Sequence, residues 1–186
     1  MKCLSKPISG VQLLLPPTFE DERGGFVKTF HVGQLAGLGI DFSVKEEFFS
    51  ISVKNVIRGM HFQKPPHSHQ KLVYCISGKV IDVVLDLRTD SPTYGQTASF
   101  ELSSANRHVV YIPVGFAHGF VSLEDNSCVV YKTDAVHSPE SDLGVRWNSF
   151  DFDWPIASGS PPLISTRDLC HPALVDLDSP FRENTI

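Results

Sequence analysis

From Lys79 to Arg88 the chain reads KVIDVVLDLR, in which every second residue from Ile81 to Leu87 is apolar. Ile81, Val83, Leu85 and Leu87 share one face, and Val80, Asp82, Val84 and Asp86 share the other, the period of a β-strand. Leu72 to Ile76 is a shorter apolar run stopped by Ser77-Gly78, so the pattern predicts a strand that turns into Lys79 to Arg88 as its partner. The signal recurs on both sides. Val11 to Leu15, Phe26 to Phe30 and the stretch from Phe42 to Val53 read as strands, the last interrupted by Glu46-Glu47. Thr97 to Leu102, His108 to Ile112, Phe116 to Leu123 and Ser127 to Thr133 follow. Pro16-Pro17, Asp21 to Gly25, Ser91 to Gly95, Pro113 to Gly115 and Asp125-Asn126 punctuate them as turns. Val32 to Leu38 predicts one or two helical turns ending at Gly39. Beyond His137 the chain is rich in Pro, Ser and Asp, with a weak helical segment around Thr166 to Cys170. Many short strands at this spacing predict a sandwich or barrel. Neither a repeat nor a linker divides the sequence, so a single all-β domain over residues 1–186 with a wrapped C-terminal tail is expected.

Composition acts mainly by exclusion. A chain of 186 residues, 41% hydrophobic and 20% charged, is that of an ordinary globular protein with one sizeable core. A formal charge of −5 without a Lys/Arg run argues against nucleic-acid binding, although a nucleotide needs only a few local cations. The N-terminal MKCLSKPISGVQLLL holds no apolar stretch long enough for a signal peptide or membrane span, so a cytoplasmic protein without membrane contact is expected. Cys3, Cys75, Cys128 and Cys170 form no CxxC pair, which speaks against structural zinc and against a disulfide framework.

Chemistry concentrates between Arg58 and Lys71, RGMHFQKPPHSHQK, which carries one Arg, three His and two Lys. His61 lies between Met60 and Phe62, an apolar setting able to perturb an imidazole, so it is a candidate base. A solvated turn with scattered histidines is the bland alternative. His67-Ser68-His69 with Gly78, and Pro113 to His118 followed by Gly119, resemble the paired motifs of the cupin superfamily. In metal-binding cupins such positions supply histidines and a carboxylate. Here Leu72, Val73 and Tyr74 stand where the carboxylate is expected, and three imidazoles remain able to hold a transition metal.

A second resemblance covers nearly the whole chain. FEDERGGF, NVIRGMHFQ, KLVYCISGKVIDVVLDLR, SPTYGQ, ELSSANRHVVYIPVGFAHGF, VYKTD, SPESDLGVRWNSFDFDWP and STRD, in this order, resemble the dTDP-4-dehydrorhamnose 3,5-epimerase family. The resemblance implies a cupin-type double-stranded β-helix (jelly roll), a homodimer and no cofactor. It also implies epimerisation of a nucleotide-diphospho-4-keto-6-deoxy sugar at the carbons flanking the ketone. By the same resemblance His61 is the base and Asp168 its carboxylate partner, Tyr131 the proton donor, and Lys71, with His118, the stabiliser of the enolate. Arg23 and Arg58 match diphosphate-binding positions, and Arg167 beside Asp168 joins the substrate-binding set. The chemistry is coherent. Removal of a proton next to a ketone needs a base on one face and a donor to the developing enolate oxygen, and inversion needs an acid on the other face. Val129, Tyr131 and Thr133 share a strand face, which allows Tyr131 to point inward.

Departures from the family gather at its nucleotide-binding positions. Lys28 stands for a Glu, Glu46 and Phe48 for a Gln and an Asn, His137 for a Tyr that stacks on thymine, and His69-Gln70-Lys71 for QGK. Glu46 accepts hydrogen bonds and cannot donate them, so a base other than thymine is conceivable. Two other functions stay open at this point. One is a metal-dependent cupin enzyme built on His67, His69 and His118, and the other a non-catalytic sugar-nucleotide binding module.

Overall fold

Both faces of the strand read at residues 79–88 are covered in the fold. A computed structural model describes residues 1–156 and 159–182. Its strands form two antiparallel sheets and a hairpin. The six-stranded sheet runs β1 (Lys2–Ser5), β2 (Gln12–Leu15), β10 (Val109–Ile112), β7 (Lys71–Ser77), β12 (Ser127–Thr133) and β5 (Glu46–Ser52). The five-stranded sheet runs β13 (Asp142–Gly144), β6 (Ile57–Gln63), β11 (Phe116–Ser122), β8 (Lys79–Asp86) and β9 (Thr97–Ser103). β3 (Thr18–Asp21) and β4 (Gly24–Val27) pair apart from both.

Val73 and Val129 of the first sheet meet Val80, Val84 and Phe120 of the second in the central core. Val83, Leu85 and Leu87, on the opposite face of β8, pack under Trp154 and Phe181 of the C-terminal segment. The outer face of the six-stranded sheet, with Leu14, Leu72 and Val109, is covered by Leu35 of α1 (Val32–Ala36) and by Ile40 and Phe42. The expected all-β jelly roll is present, with α2 (Thr166–Leu169) as a short helix in the tail. No helix among the described residues is long and apolar enough to cross a membrane.

Four expectations change. β7 and β8 are not hydrogen-bonded partners, because the chain turns a corner at Gly78 and enters the other sheet. Gly78 sits at φ +71°, and a Cβ there would collide with Ser127, so both the conformation and the close approach require glycine. Glu46 and Glu47 open β5 instead of interrupting it. The strand expected at Phe26 to Phe30 lies earlier, at Gly24–Val27, against Thr18–Asp21. Residues 57–63, which open the charged stretch singled out from Arg58 to Lys71, are a strand, and β1, β3 and β13 are three more that the pattern did not reveal.

Candidate active site

β6 is irregular at the point that matters. Its pairing with β11 sets His118 opposite His61 and Phe120 opposite Arg58, which leaves one extra residue in β6 between Arg58 and His61. A bulge of this kind re-aims the side chains around it. Gly59 within it has φ +129°, and a Cβ would meet the Gly119 backbone, so only glycine lets the two strands approach there. His61 thereby reaches a cleft of about 700 Å³ lined from both sheets.

Its partner comes from the tail. Ser165 caps α2, its Oγ accepting the Asp168 amide at 3.1 Å, and this places Asp168 against β6. Asp168 Oδ1 lies 2.8 Å from His61 Nε2, and Oδ2 accepts the Gly59 amide at 3.1 Å. Burial alone would raise the Asp168 pKa, but the hydrogen bond and charge of His61, with the Gly59 amide, hold it down at about 2. The carboxylate is therefore ionised and only accepts. The proton of neutral His61 sits on Nε2, which leaves Nδ1 with the free lone pair. The imidazole retains 30% of its surface in the cleft, whereas Asp168 is buried.

Lys71, at the start of β7, is buried, and its Nζ donates to the His61 carbonyl at 3.1 Å. Burial pushes its pKa down to about 8, against the opposing charges of Asp142 and Asp82. Tyr131 of β12 stacks on Phe48 at 4.8 Å and meets His118 edge-on at 5.8 Å. Burial raises its pKa well above the ordinary phenol value, so the hydroxyl keeps its proton. His118 Nε2 lies 2.7 Å from Asp82 Oδ2, and both residues are buried. Burial lowers the His118 pKa although Asp82 opposes the shift. His61 and Tyr131 thus stand on opposite walls of one cleft, one from each sheet.

The outer part of the cleft holds Glu46, Phe48, Arg58, His137 and Arg167. Arg58 is pinned by Ser52 Oγ at 3.0 Å and the Ile51 carbonyl at 3.3 Å. Arg167 is paired with Asp142 at 2.7 Å. Glu46 Oε2 accepts the His137 amide at 2.7 Å, so one carboxylate oxygen is already engaged. Two residues of the expected set lie elsewhere. Arg23, in the β3–β4 turn, forms an exposed ion pair with Asp21 at 2.5 Å, and neither it nor Lys28 lines the cleft.

Sequence reasoning missed Asp82, Asp142, Gln63 and His171. Asp82 carried a signal, a carboxylate between Val80 and Val84 on one face of the strand. His171 carried none. Its ring lies 5.6 Å from that of His61, and its Nε2 is 3.7 Å from Asp168 Oδ1. The His67, His69 and His118 metal set does not assemble. Gln63 occupies His69 Nδ1, Asp82 occupies His118 Nε2, and His67 stands outside the cleft lining. Among the described residues, the trio whose ligand atoms fall within 4.8 Å of one another is instead His61, Asp168 and His171.

A family profile described as dTDP-4-dehydrorhamnose 3,5-epimerase matches residues 5–176. The chain belongs to this epimerase family. It is 40% identical to the dTDP-4-dehydrorhamnose 3,5-epimerase of Escherichia coli strain K12 over 171 residues, 90% of this chain and 91% of the relative. The Legionella pneumophila dTDP-6-deoxy-D-glucose-3,5-epimerase, solved with dTDP-4-keto-L-rhamnose, superposes with a TM-score of 0.90 at 33% identity, covering 95% of this chain and 94% of that one. A 3'-monoepimerase from Streptomyces bikiniensis, solved with dTDP-quinovose, gives 0.85 at 28% identity, over 92% and 88% of the two chains. Like its relatives, this epimerase is an isomerase on a jelly-roll scaffold, and the metal-dependent alternative is set aside.

Proposed function

We propose that the chain epimerises a nucleotide-diphospho-4-keto-6-deoxy sugar at C3, C5 or both, in deoxysugar biosynthesis, without a cofactor. The observation that carries this reading is the placement of an Asp-bound imidazole and a protonated phenol on opposite walls of one cleft. His61 Nδ1 takes the proton from the carbon beside the ketone, and Asp168 stabilises the imidazolium that forms. The C–H electron pair moves onto the ketone oxygen as an enolate, which Lys71 Nζ–H stabilises. Tyr131 delivers its proton to the opposite face of the same carbon, inverting it. His61 then loses a proton to solvent and Tyr131 regains one, so each turnover exchanges a substrate hydrogen.

Tyr131→Phe separates the two halves of this cycle. The variant is expected to keep washing solvent deuterium into the substrate through His61 while yielding little inverted sugar, a ratio of exchange to inversion raised about a hundredfold. Mass spectrometry and proton NMR on one reaction read both quantities. Undiminished inversion would reduce Tyr131 to a core aromatic.

At the nucleotide end, Arg58 and Arg167 supply the cations for the diphosphate, and Glu46, Phe48 and His137 surround the base. With Oε2 spent on the His137 amide, Glu46 offers Oε1, which suits the single ring N–H of thymine or uracil. Cytosine presents an acceptor at that ring position and repels the carboxylate. In competition binding, dTDP and UDP are expected to exceed CDP by about tenfold, and Glu46→Gln to remove the difference, since an amide serves either partner. An unchanged ranking in the variant would mean that Glu46 does not read the base.

A cytoplasmic homodimer completes the reading, on a single domain. Phe49, Ile51 and Val53 are 64%, 58% and 51% exposed on one side of the β5 edge, and Phe19 and Phe26 of the hairpin are 63% and 60% exposed. A second copy laid on these faces would cover apolar surface that monomers seldom leave open. Arg23 and Lys28, remote from the cleft of their own chain, would then be free to serve the partner's.

A further inference from the structure

Phe48 and Tyr131 face each other across two strands. The register of β5 and β12 sets them directly opposite, and residues so placed in an antiparallel pair carry their side chains on the same face of the sheet. Both line the cleft. Their rings are stacked, with centroids 4.8 Å apart and an interplanar angle of 14°, a separation that aromatic pairs favour. β5 is the last strand of its sheet, so among the described residues no further strand of that sheet walls the cleft beyond Phe48. Phe48 is 46% exposed there, whereas Tyr131 is buried. His118 meets the Tyr131 ring edge-on at 5.8 Å, and other apolar neighbours of that ring belong to the central core. Ser50, two residues along β5, acts on the phenol, but its Oγ makes no hydrogen bond of ordinary geometry among the described residues. What β5 offers the Tyr131 ring is therefore chiefly a flat apolar face, and Phe48 supplies it.

We propose that Phe48 is a positioning residue for the proton donor: stacked on Tyr131, it holds the phenol ring in the plane from which its hydroxyl reaches the carbon opposite His61. A ring that turns on its side-chain torsions moves its hydroxyl most, because that oxygen lies farthest from the backbone. A shift of about 1 Å between reacting groups can cost about 10² in rate. The loss would fall on reprotonation by Tyr131 and spare proton abstraction, since His61 is carried by the other sheet. This assignment rests on the epimerase reading and deepens it. It gives Phe48, one of the positions where the chain departs from its family, a part in inversion besides any contact with the base.

Phe48→Leu keeps an apolar side chain at a half-exposed edge position but removes the flat face, and Phe48→Tyr restores it. Both variants are assayed in deuterated water at saturating dTDP-4-keto-6-deoxyglucose, so that a change in affinity drops out, and the ratio of deuterium exchange to inversion is read. Phe48→Leu is expected to raise that ratio about tenfold, and Phe48→Tyr to bring it back to within about twofold of the wild type. In a Tyr131→Phe background, Phe48→Leu should leave the ratio where Tyr131→Phe alone puts it, because a residue that acts through Tyr131 then has nothing to position. An unchanged ratio in Phe48→Leu would overturn the assignment and leave Phe48 a nucleotide contact. A further rise of similar size in the double variant would overturn it too, by showing an effect that does not pass through Tyr131. Crystal structures of the two variants test the same contact without the reaction. The Tyr131 hydroxyl should be displaced by about 1 Å or more in Phe48→Leu and in place in Phe48→Tyr. A wild-type protein that exchanges no deuterium would sink the epimerase reading, while the Phe48→Leu crystal would still decide the contact: a displaced phenol upholds the positioning role and an unmoved one ends it.

Discussion

Replacing His61 by Asn is expected to abolish incorporation of solvent deuterium at both C3 and C5 of the 4-keto sugar, a loss of at least about 10³ in rate. A single basic nitrogen, Nδ1, faces the cleft, since Nε2 is committed to Asp168 at 2.8 Å. Asn keeps a polar group of similar reach near Asp168 but has no lone pair basic enough to take a proton from carbon. General base catalysis by a positioned side chain is worth about 10²–10⁴. The variant should fold normally, and its affinity for dTDP should be unchanged, because His61 makes no part of the cation set at the outer end. Near-normal deuterium exchange in a folded His61→Asn protein would end the assignment and with it the proposed mechanism.

Lys71→Met should move activity and stability in opposite directions. Its pKa falls from 10.5 to about 8 in the folded chain. The shift corresponds to about 3 kcal/mol of bias against the charged amine, present in full below about pH 8 where both folded and unfolded chains hold the proton. Between about 8 and 10.5 the unfolded chain binds more protons than the folded one, so the penalty is relieved as pH rises. Met fills a similar volume without the charge. Urea denaturation at pH 7 should show the variant more stable by about 1–3 kcal/mol, and the gain should shrink toward pH 10. Turnover should fall by about 10²–10³, the usual loss when one oxyanion donor is removed. In the wild-type chain kcat/KM should decline above about pH 8 as the amine loses its charge. A Lys71→Met protein that turns over normally would remove Lys71 from the enolate role, and a destabilised one would show that the buried amine is held favourably.

Legibility in the sequence followed the regularity of the backbone. The period-two apolar face of β8 announced a strand, and the structure packs one of its faces in the central core and the other under the C-terminal segment. β6 was hidden for the opposite reason. Its bulge, its Gly59, and a histidine among apolar residues break the period that a pattern search needs. Pairing partners were harder still. Gly78 looks like any hairpin turn in sequence, and only contact with Ser127 shows that the chain changes sheets there. Asp168 came from resemblance, and the structure shows why it is held so well, since Ser165 caps α2 and fixes the carboxylate one turn from the cap. His171, Asp142 and Gln63 meet the cleft through long-range packing that leaves no local trace. Arg23 and Lys28 came from resemblance, and neither lines the cleft of its own chain.

His61 and Tyr131 belong to different sheets, and no loop or shared strand sets the gap between them. What sets it is the stack of Val73, Val84, Phe120 and Val129 that keeps the sheets apart. The hydrophobic interior is in that sense a machinist's spacer between two jaws, stiff because side chains in a core are close-packed. A misplacement of about 1 Å between reacting groups can cost about 10² in rate. Interior positions are therefore selected twice, once for a fold that holds and once for a tolerance that fits, and neutral drift at Phe120 is narrower than its burial alone would suggest.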